Sequence, residues 1–279
     1  MYVSRMTSHL DLPEGRLAYD VHVPAGPARG LLLAVPGMGD LRSTYRHLVP
    51  LLTAAGYRVA TADLRGHGES DTSFSAYGDE ATAGDIVALA EALRLDGERV
   101  VVLGNSMAAG AAVIAAAERP DLIAGLVLSG PFVRDGEIGA GMRLMFRLLM
   151  QPAWIVPAWR AYLPSLFAGR RPDDFAEELD RVVAALRRPG HRRAFARTTR
   201  TTHAPAEAVV DRVAAPTLVV MGAADPDFPD PAAEAAWIAE RTGGEVLLVE
   251  EAGHYPHTQR PEVVAPAVLA LLDRVTAAA

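Results

Sequence analysis

The sequence contains no cysteine, which excludes a thiol nucleophile, a disulfide and a cysteine-ligated metal. It contains no lysine either, and all 27 of its basic residues are arginines. That removes Schiff-base chemistry, and with it pyridoxal-phosphate and lysine-aldolase mechanisms. It also removes the lysine that a phosphate-binding Walker loop requires. No apolar run reaches the roughly 18 residues of a membrane span, so stable membrane insertion is not expected. The opening MYVSRMTSHLDLPEG has no apolar core of a secretory signal, which makes the cytoplasm the expected location. A net charge of −7 argues against a nucleic-acid partner, because such a partner demands a basic face.

What is present suits one large domain, or one domain carrying an insertion: 279 residues, half of them hydrophobic. Apolar runs over residues 30–35, 57–62, 100–103, 122–129, 216–221 and 246–249 read as strands. Most are apolar throughout, as strands buried on both faces are. A more alternating run over 16–23 reads as an earlier strand. Helical patterns over 43–55, 79–95, 111–118, 231–241 and from 261 onward lie between and after them. Strands alternating with helices predict a mostly parallel central sheet covered by helices on both faces. From 131 to 205 the alternation stops, and Pro152, Pro157, Pro164, Pro172 and Pro189 divide the chain into short helical pieces. The expected organisation is a core of residues 1–132 and 206–279 with a helical lid, 133–205, inserted in it.

The central stretch is Val100-Val101-Val102-Leu103-Gly104-Asn105-Ser106-Met107-Ala108-Ala109-Gly110. A buried strand turns into an Ala-rich helix through small residues that bracket one serine. Such a turn lifts a hydroxyl to the top of a sheet beside a helix N-terminus; the same serine could also simply cap the helix. Asp63-Leu64-Arg65-Gly66-His67-Gly68-Glu69-Ser70 follows an earlier strand. Gly222-Ala223-Ala224-Asp225-Pro226-Asp227-Phe228-Pro229 and Glu251-Ala252-Gly253-His254 follow the last two.

These motifs, in this order, resemble the α/β-hydrolase superfamily in its capped serine-hydrolase branch, and they cover nearly all of the chain outside the lid. The resemblance implies the α/β-hydrolase fold, Ser106 as nucleophile, His254 as base and Asp225 as the acid that orients it, with Asp227 a rival two residues on. Ala108 stands where the family's elbow usually has glycine. The backbone N–H groups of Met107 and Met38 match the oxyanion donors, although Pro36-Gly37-Met38 replaces the more common His-Gly-x and could be a plain turn. His257 reads as a surface or lid-contacting histidine. Met142, Met145, Phe146, Trp154 and Trp159 recur along the lid, either to pack it or to line an apolar substrate pocket.

A serine at the elbow sets the chain apart from the branches of the superfamily that use aspartate there. The implied activity is cofactor-free and metal-free cleavage of an ester or thioester of a largely apolar acyl substrate. Gly-Asn-Ser-Met also resembles the elbow of hydrolases that cleave carbon–carbon bonds, and the scaffold supports cyclase, lyase and acyl-transfer chemistry. A ligand-binding protein with a retained but slow triad is a third reading. Neither the substrate nor the oligomeric state is specified by the sequence.

Overall fold

The computed structural model describes residues 7–136 and 140–277; of Ala140, Met142 and Arg143 it describes the backbone alone. Eight strands form one sheet: β1 (Ser8–Leu12), β2 (Gly15–His22), β3 (Leu31–Val35), β4 (Arg58–Ala62), β5 (Val100–Asn105), β6 (Ile123–Ser129), β7 (Thr217–Gly222) and β8 (Glu245–Val249). Their order across the sheet is β1-β2-β4-β3-β5-β6-β7-β8. The first two strands run antiparallel and every pairing from β4 to β8 is parallel. Parallel pairing places the C-terminal ends of β3, β5, β7 and β8 along one edge, where their loops can converge.

The core helices are α1 (Val49–Ala54), α2 (Asp79–Leu93) and α3 (Met107–Glu118). Between β6 and β7 come α4 (Ala140–Leu149), α5 (Ile155–Leu166), α6 (Phe175–Leu186), α7 (His191–Thr198) and α8 (Ala204–Glu207). The chain ends with α9 (Pro231–Thr242), α10 (Pro256–Gln259) and α11 (Pro261–Ala277).

Successive residues of a strand point to opposite faces, and the two apolar cores follow that rule. Leu31, Leu33, Val35, Val100 and Val102 pack against α2, α3 and α9 on one face. Leu32, Ala34, Val101 and Leu103 pack against α1 and α11 on the other. A third apolar cluster is built from the insert, with Ile155, Trp159 and Leu163 of α5 meeting Val182 and Val183 of α6 and Phe195 of α7. Tyr255 of the core completes it.

The structure revises some of the expected elements. The N-terminal strand β1 pairs with β2 as a hairpin. The expected helix over 43–55 is instead a 3-10 turn, Arg42–Tyr45, followed by α1. Pro50 lies at the start of α1, where a missing N–H costs nothing. Among the described residues, no helix is long and apolar enough to cross a membrane.

The guanidinium of Arg42 ties the motif after β4 to three carboxylates. Arg42 donates to Asp20 at 2.8 Å, to Glu69 at 2.5 Å and to Asp63. Asp63 also accepts the backbone N–H groups of Arg42 at 2.8 Å and Glu69 at 2.9 Å. Burial pushes the Asp63 carboxyl up, and Arg42 opposes that push. Arg42→Ala would strand a buried carboxylate, so urea unfolding should show a loss of about 3–5 kcal/mol. A loss under about 1 kcal/mol would mean that the network is only a surface decoration.

Candidate active site

Between β5 and α3 the chain reverses direction within one residue. Ser106 takes φ 57° and ψ −124°, a region that side chains other than glycine rarely occupy. Gly104 makes the approach of helix to strand possible, since a Cβ there would strike the carbonyl group of Ala108. Ala108 itself is fully buried, so its extra methyl fits the elbow. A Cβ on Gly37 would come within 2.6 Å of the Ser106 Cβ, which places the loop after β3 directly against the serine. Ser106 sits at the N-cap position of α3, yet its side chain makes no capping hydrogen bond. Its hydroxyl is not spent on the helix.

Met107 is the first residue of α3, and an N–H at that position has no acceptor within its own helix. Met38 follows Gly37 and is half-buried. Trp159 fixes the same loop from the insert, its indole N–H donating to the Gly39 carbonyl at 2.8 Å.

The loops after β7 and β8 are stitched together by Ala223 N–H to Val249 O and Ala224 N–H to Ala252 O, both 2.9 Å. The structure brings Asp225 and His254 together, with Oδ2 2.8 Å from Nδ1 and both side chains buried. Asp227 presents a second carboxylate 3.7 Å from the same nitrogen, and its backbone N–H donates to Asp225 Oδ1 at 3.0 Å. Burial works against the charged imidazole. The negative charge of Asp225, reinforced by that of Asp227 and Asp40, outweighs it and holds His254 above its ordinary value.

Asn105, to which the sequence reading gave no role, links the serine strand to the histidine loop. Its side-chain amide donates to Ser129 O at 2.9 Å and to His254 O at 3.3 Å. Gly130 lies against the imidazole, for a Cβ there would fall 3.2 Å from His254 Nδ1. Phe132, also unassigned from sequence, has its ring 5.7 Å from the His254 ring and 4.8 Å from Phe228. The only advance signal for these residues is position: Asn105 directly precedes the serine, and Phe132 lies just past the end of β6.

His257 corrects an expectation. It is fully buried, with Nδ1 2.8 Å from Ser129 Oγ and Nε2 3.3 Å from Thr44 Oγ1. Burial, with the nearby His254 and Arg46, lowers it to about 3. Among the insert residues, Trp159 is buried against Phe195, and Phe146 is half-buried against the third cluster. Met145 and Trp154 are 49 % and 65 % exposed, and the side chain of Met142 lies outside the described residues.

A cavity of about 300 Å³ lies elsewhere, along a charged seam of Asp20, Arg42, Arg46, Asp63, Glu69 and Arg188. The ligand atoms of Asp225, Asp227 and His254 fall within 4.8 Å of one another. Within that group, His254 Nδ1 is hydrogen-bonded to Asp225.

A serine whose hydroxyl makes no capping bond and a carboxylate-bound histidine thus lie on loops at the C-terminal ends of a mostly parallel sheet. The family model described as alpha/beta hydrolase family matches residues 32–267, and the chain belongs to that family. It is 26 % identical over 264 residues to a probable esterase of Oryza sativa subsp. japonica, covering 90 % of this chain and 94 % of the relative. It is 27 % identical over 245 residues to the karrikin insensitive 2 receptor IA of Petunia hybrida, covering 84 % and 86 %. The fold is also that of the enol-lactonase of Burkholderia xenovorans, with a TM-score of 0.78 at 20 % identity over 95 % of this chain and 100 % of the other.

His257 yields a stability test. Its folded value lies below the unfolded one of about 6.5, so its neutral form contributes stability above that pH, and the contribution is lost as pH falls toward about 3. His257→Gln should therefore flatten the fall in urea-unfolding free energy between about pH 6 and 4 by up to one proton. An unchanged slope would show that the imidazole is not held neutral.

Proposed function

We propose that this chain is a cofactor-free serine hydrolase that cleaves an ester or thioester of a largely apolar acyl substrate. The observation that carries the reading is the buried Asp225–His254 pair at 2.8 Å, tied through Asn105 to a serine whose hydroxyl the helix does not use. In the first step His254 Nε2 takes the Ser106 proton while Oγ attacks the acyl carbon. Asp225 accepts from Nδ1–H, which fixes the tautomer and stabilises the imidazolium. The backbone N–H groups of Met107 and Met38 receive the oxyanion, at a helix N-terminus whose dipole favours negative charge. The imidazolium then protonates the leaving group, and water, activated by the same base, releases the acid. The chain supplies all of these groups, so the reading calls on neither cofactor nor metal.

Residues 133–205 act in this reading as a cap over the site. Trp159 and Phe146 offer the apolar wall nearest the core, and Met145 and Trp154 lie toward the outer surface. The substrate is a small apolar acyl molecule, and the reading involves no nucleic acid and no stable membrane insertion. The work is assigned to the cytoplasm. Carbon–carbon hydrolysis, cyclisation, lyase chemistry or acyl transfer would use the same serine and base.

A second reading is favoured by the likeness to a receptor: a ligand-binding protein whose triad turns over slowly. A fluorophosphonate probe separates the two, because an activated serine is trapped within minutes.

Ser106→Ala should abolish both labelling and hydrolysis of p-nitrophenyl esters while leaving the melting temperature unchanged. Retention of more than about a tenth of wild-type turnover would rule out the covalent mechanism. Asp225→Asn should keep the packing and lower kcat by roughly three to four orders of magnitude, by analogy with the serine-protease triad. A loss under tenfold in a folded protein would pass the acid role to Asp227.

A further inference from the structure

The helix α5 reaches the candidate site at three points. Trp159 donates its indole N–H to the Gly39 carbonyl beside Met38, at 2.8 Å. Tyr162 donates its hydroxyl to Asp227 Oδ1. The carbonyl of Leu166 accepts the backbone N–H of His254 at 2.8 Å. Trp159 and Tyr162 lie three positions apart on one helix face, and Leu166 presents its carbonyl at the helix's last residue. The helix therefore touches the loop after β3, the acid loop and the histidine loop together.

The middle contact is a side-chain relay. Asp227 uses Oδ1 for the Tyr162 hydroxyl and turns Oδ2 to 3.7 Å from His254 Nδ1. Its backbone N–H meanwhile holds Asp225 Oδ1 at 3.0 Å. Tyr162 packs its ring 5.6 Å from that of Trp159. Burial and the adjacent Asp227 raise its hydroxyl above the ordinary phenol range, so it remains a donor.

We propose that Tyr162, carried by the helical insert, is a positioning residue of the hydrolytic centre: its hydroxyl holds Asp227 as a second carboxylate facing His254, so that the seated insert completes the environment of the base. The proposal rests on the serine-hydrolase reading. It gives Asp227 a role other than that of the primary acid, and it makes the insert part of the chemistry as well as a cover.

The sign follows from the charges. The titratable groups around His254 are Asp225 and Asp227 from the acid loop, Asp40 from the loop after β3, and Tyr255 and His257 from its own turn, with Tyr162 of α5 behind Asp227. Asp227 in place favours the imidazolium. The base works only when neutral, so kcat/KM rises with pH through the His254 titration, at a value above the ordinary one. Without the hydroxyl, the Asp227 carboxylate turns toward solvent and the limb moves to lower pH.

The test compares Tyr162→Phe, which keeps the ring on Trp159, with Asp227→Asn and with the double variant. Two measurements serve: the pH profile of kcat/KM on p-nitrophenyl acetate, and the His254 ring titration followed by NMR. Each single variant should shift both titrations acidward by about one unit, and the double variant should shift them no further. A melting temperature that falls while the His254 titration stays put would reduce Tyr162 to a structural contact. An alkaline shift, or shifts that add in the double variant, would equally overturn the relay. Fluorophosphonate labelling of the wild type keeps the two levels apart. Absent labelling takes down the hydrolase reading and the positioning role with it, whereas a labelled protein with an unmoved His254 titration removes the positioning role alone.

Discussion

Turning a buried strand into a buried helix within one residue forces Ser106 to a positive φ, and much of the molecule can be read as what holds that turn. Strain of this kind costs on the order of 1–3 kcal/mol and persists only where its surroundings over-determine it. Here β5 is paired on both sides, by β3 and β6, so its end cannot drift. The helix that follows is buried along almost its whole length. Its many alanines allow it to lie close to the sheet on one side and to α2 on the other, where bulkier side chains would hold it away. The Ser106 backbone is pinned at both ends, donating to Ser129 O at 3.0 Å and accepting from Phe132 N–H at 3.2 Å. The hydroxyl is consequently presented by a backbone with no freedom to relax into an ordinary helix cap.

The same turn of chain carries two buried histidines whose environments push them in opposite directions. His254 and His257 both lose hydration, which disfavours the charged ring. Carboxylates offset that loss at His254 and raise it. At His257 the partners are the hydroxyls of Ser129 and Thr44, which offer no compensating charge, and the ring is held neutral. The two rings, three residues apart, therefore hold opposite charge preferences. His257 forms part of the floor under the site: its partner Ser129 also receives the Asn105 amide and the Ser106 N–H on its backbone carbonyl.

The parts legible in the sequence were those fixed by short-range pattern. Apolar runs identified β3 through β7 because strands buried on both faces leave few polar positions to confuse the period, and they identified β8 as well, although Val246 and Leu248 are exposed. The family resemblance pointed to Asp225 before Asp227, and Asp225 is the nearer of the two to His254 Nδ1, at 2.8 against 3.7 Å. What stayed hidden depends on residues distant in sequence. The burial of His257 rests on Ser129 and Thr44, which lie 128 and 213 positions away. The Tyr162–Asp227 contact spans 65 positions. The hairpin strand β1 escaped notice because Ser8–Leu12 is largely exposed and carries no buried face to announce it. Along α4 a helical apolar stripe was visible, but periodicity does not reveal what a stripe faces. Leu144, Met145, Leu148 and Leu149 are in fact exposed.

The absence of lysine has a structural counterpart. Several polar links between insert and core are made by guanidinium groups. Arg46 grips Asp174 through two nitrogens at 2.7 and 2.6 Å, while Arg188 and Arg197 reach backbone carbonyls of Gly68 and Phe74. Within the core, Arg65 holds Asp85 in the same bidentate fashion, at 2.7 and 2.5 Å. Arg42 uses three different nitrogens for three carboxylates. An ammonium group is a compact point charge and cannot reproduce a planar fork with fixed donor directions. The order of the loops flanking the site therefore comes from the shape of the cation as much as from its charge, and lysine at these positions would keep the charge while losing the geometry.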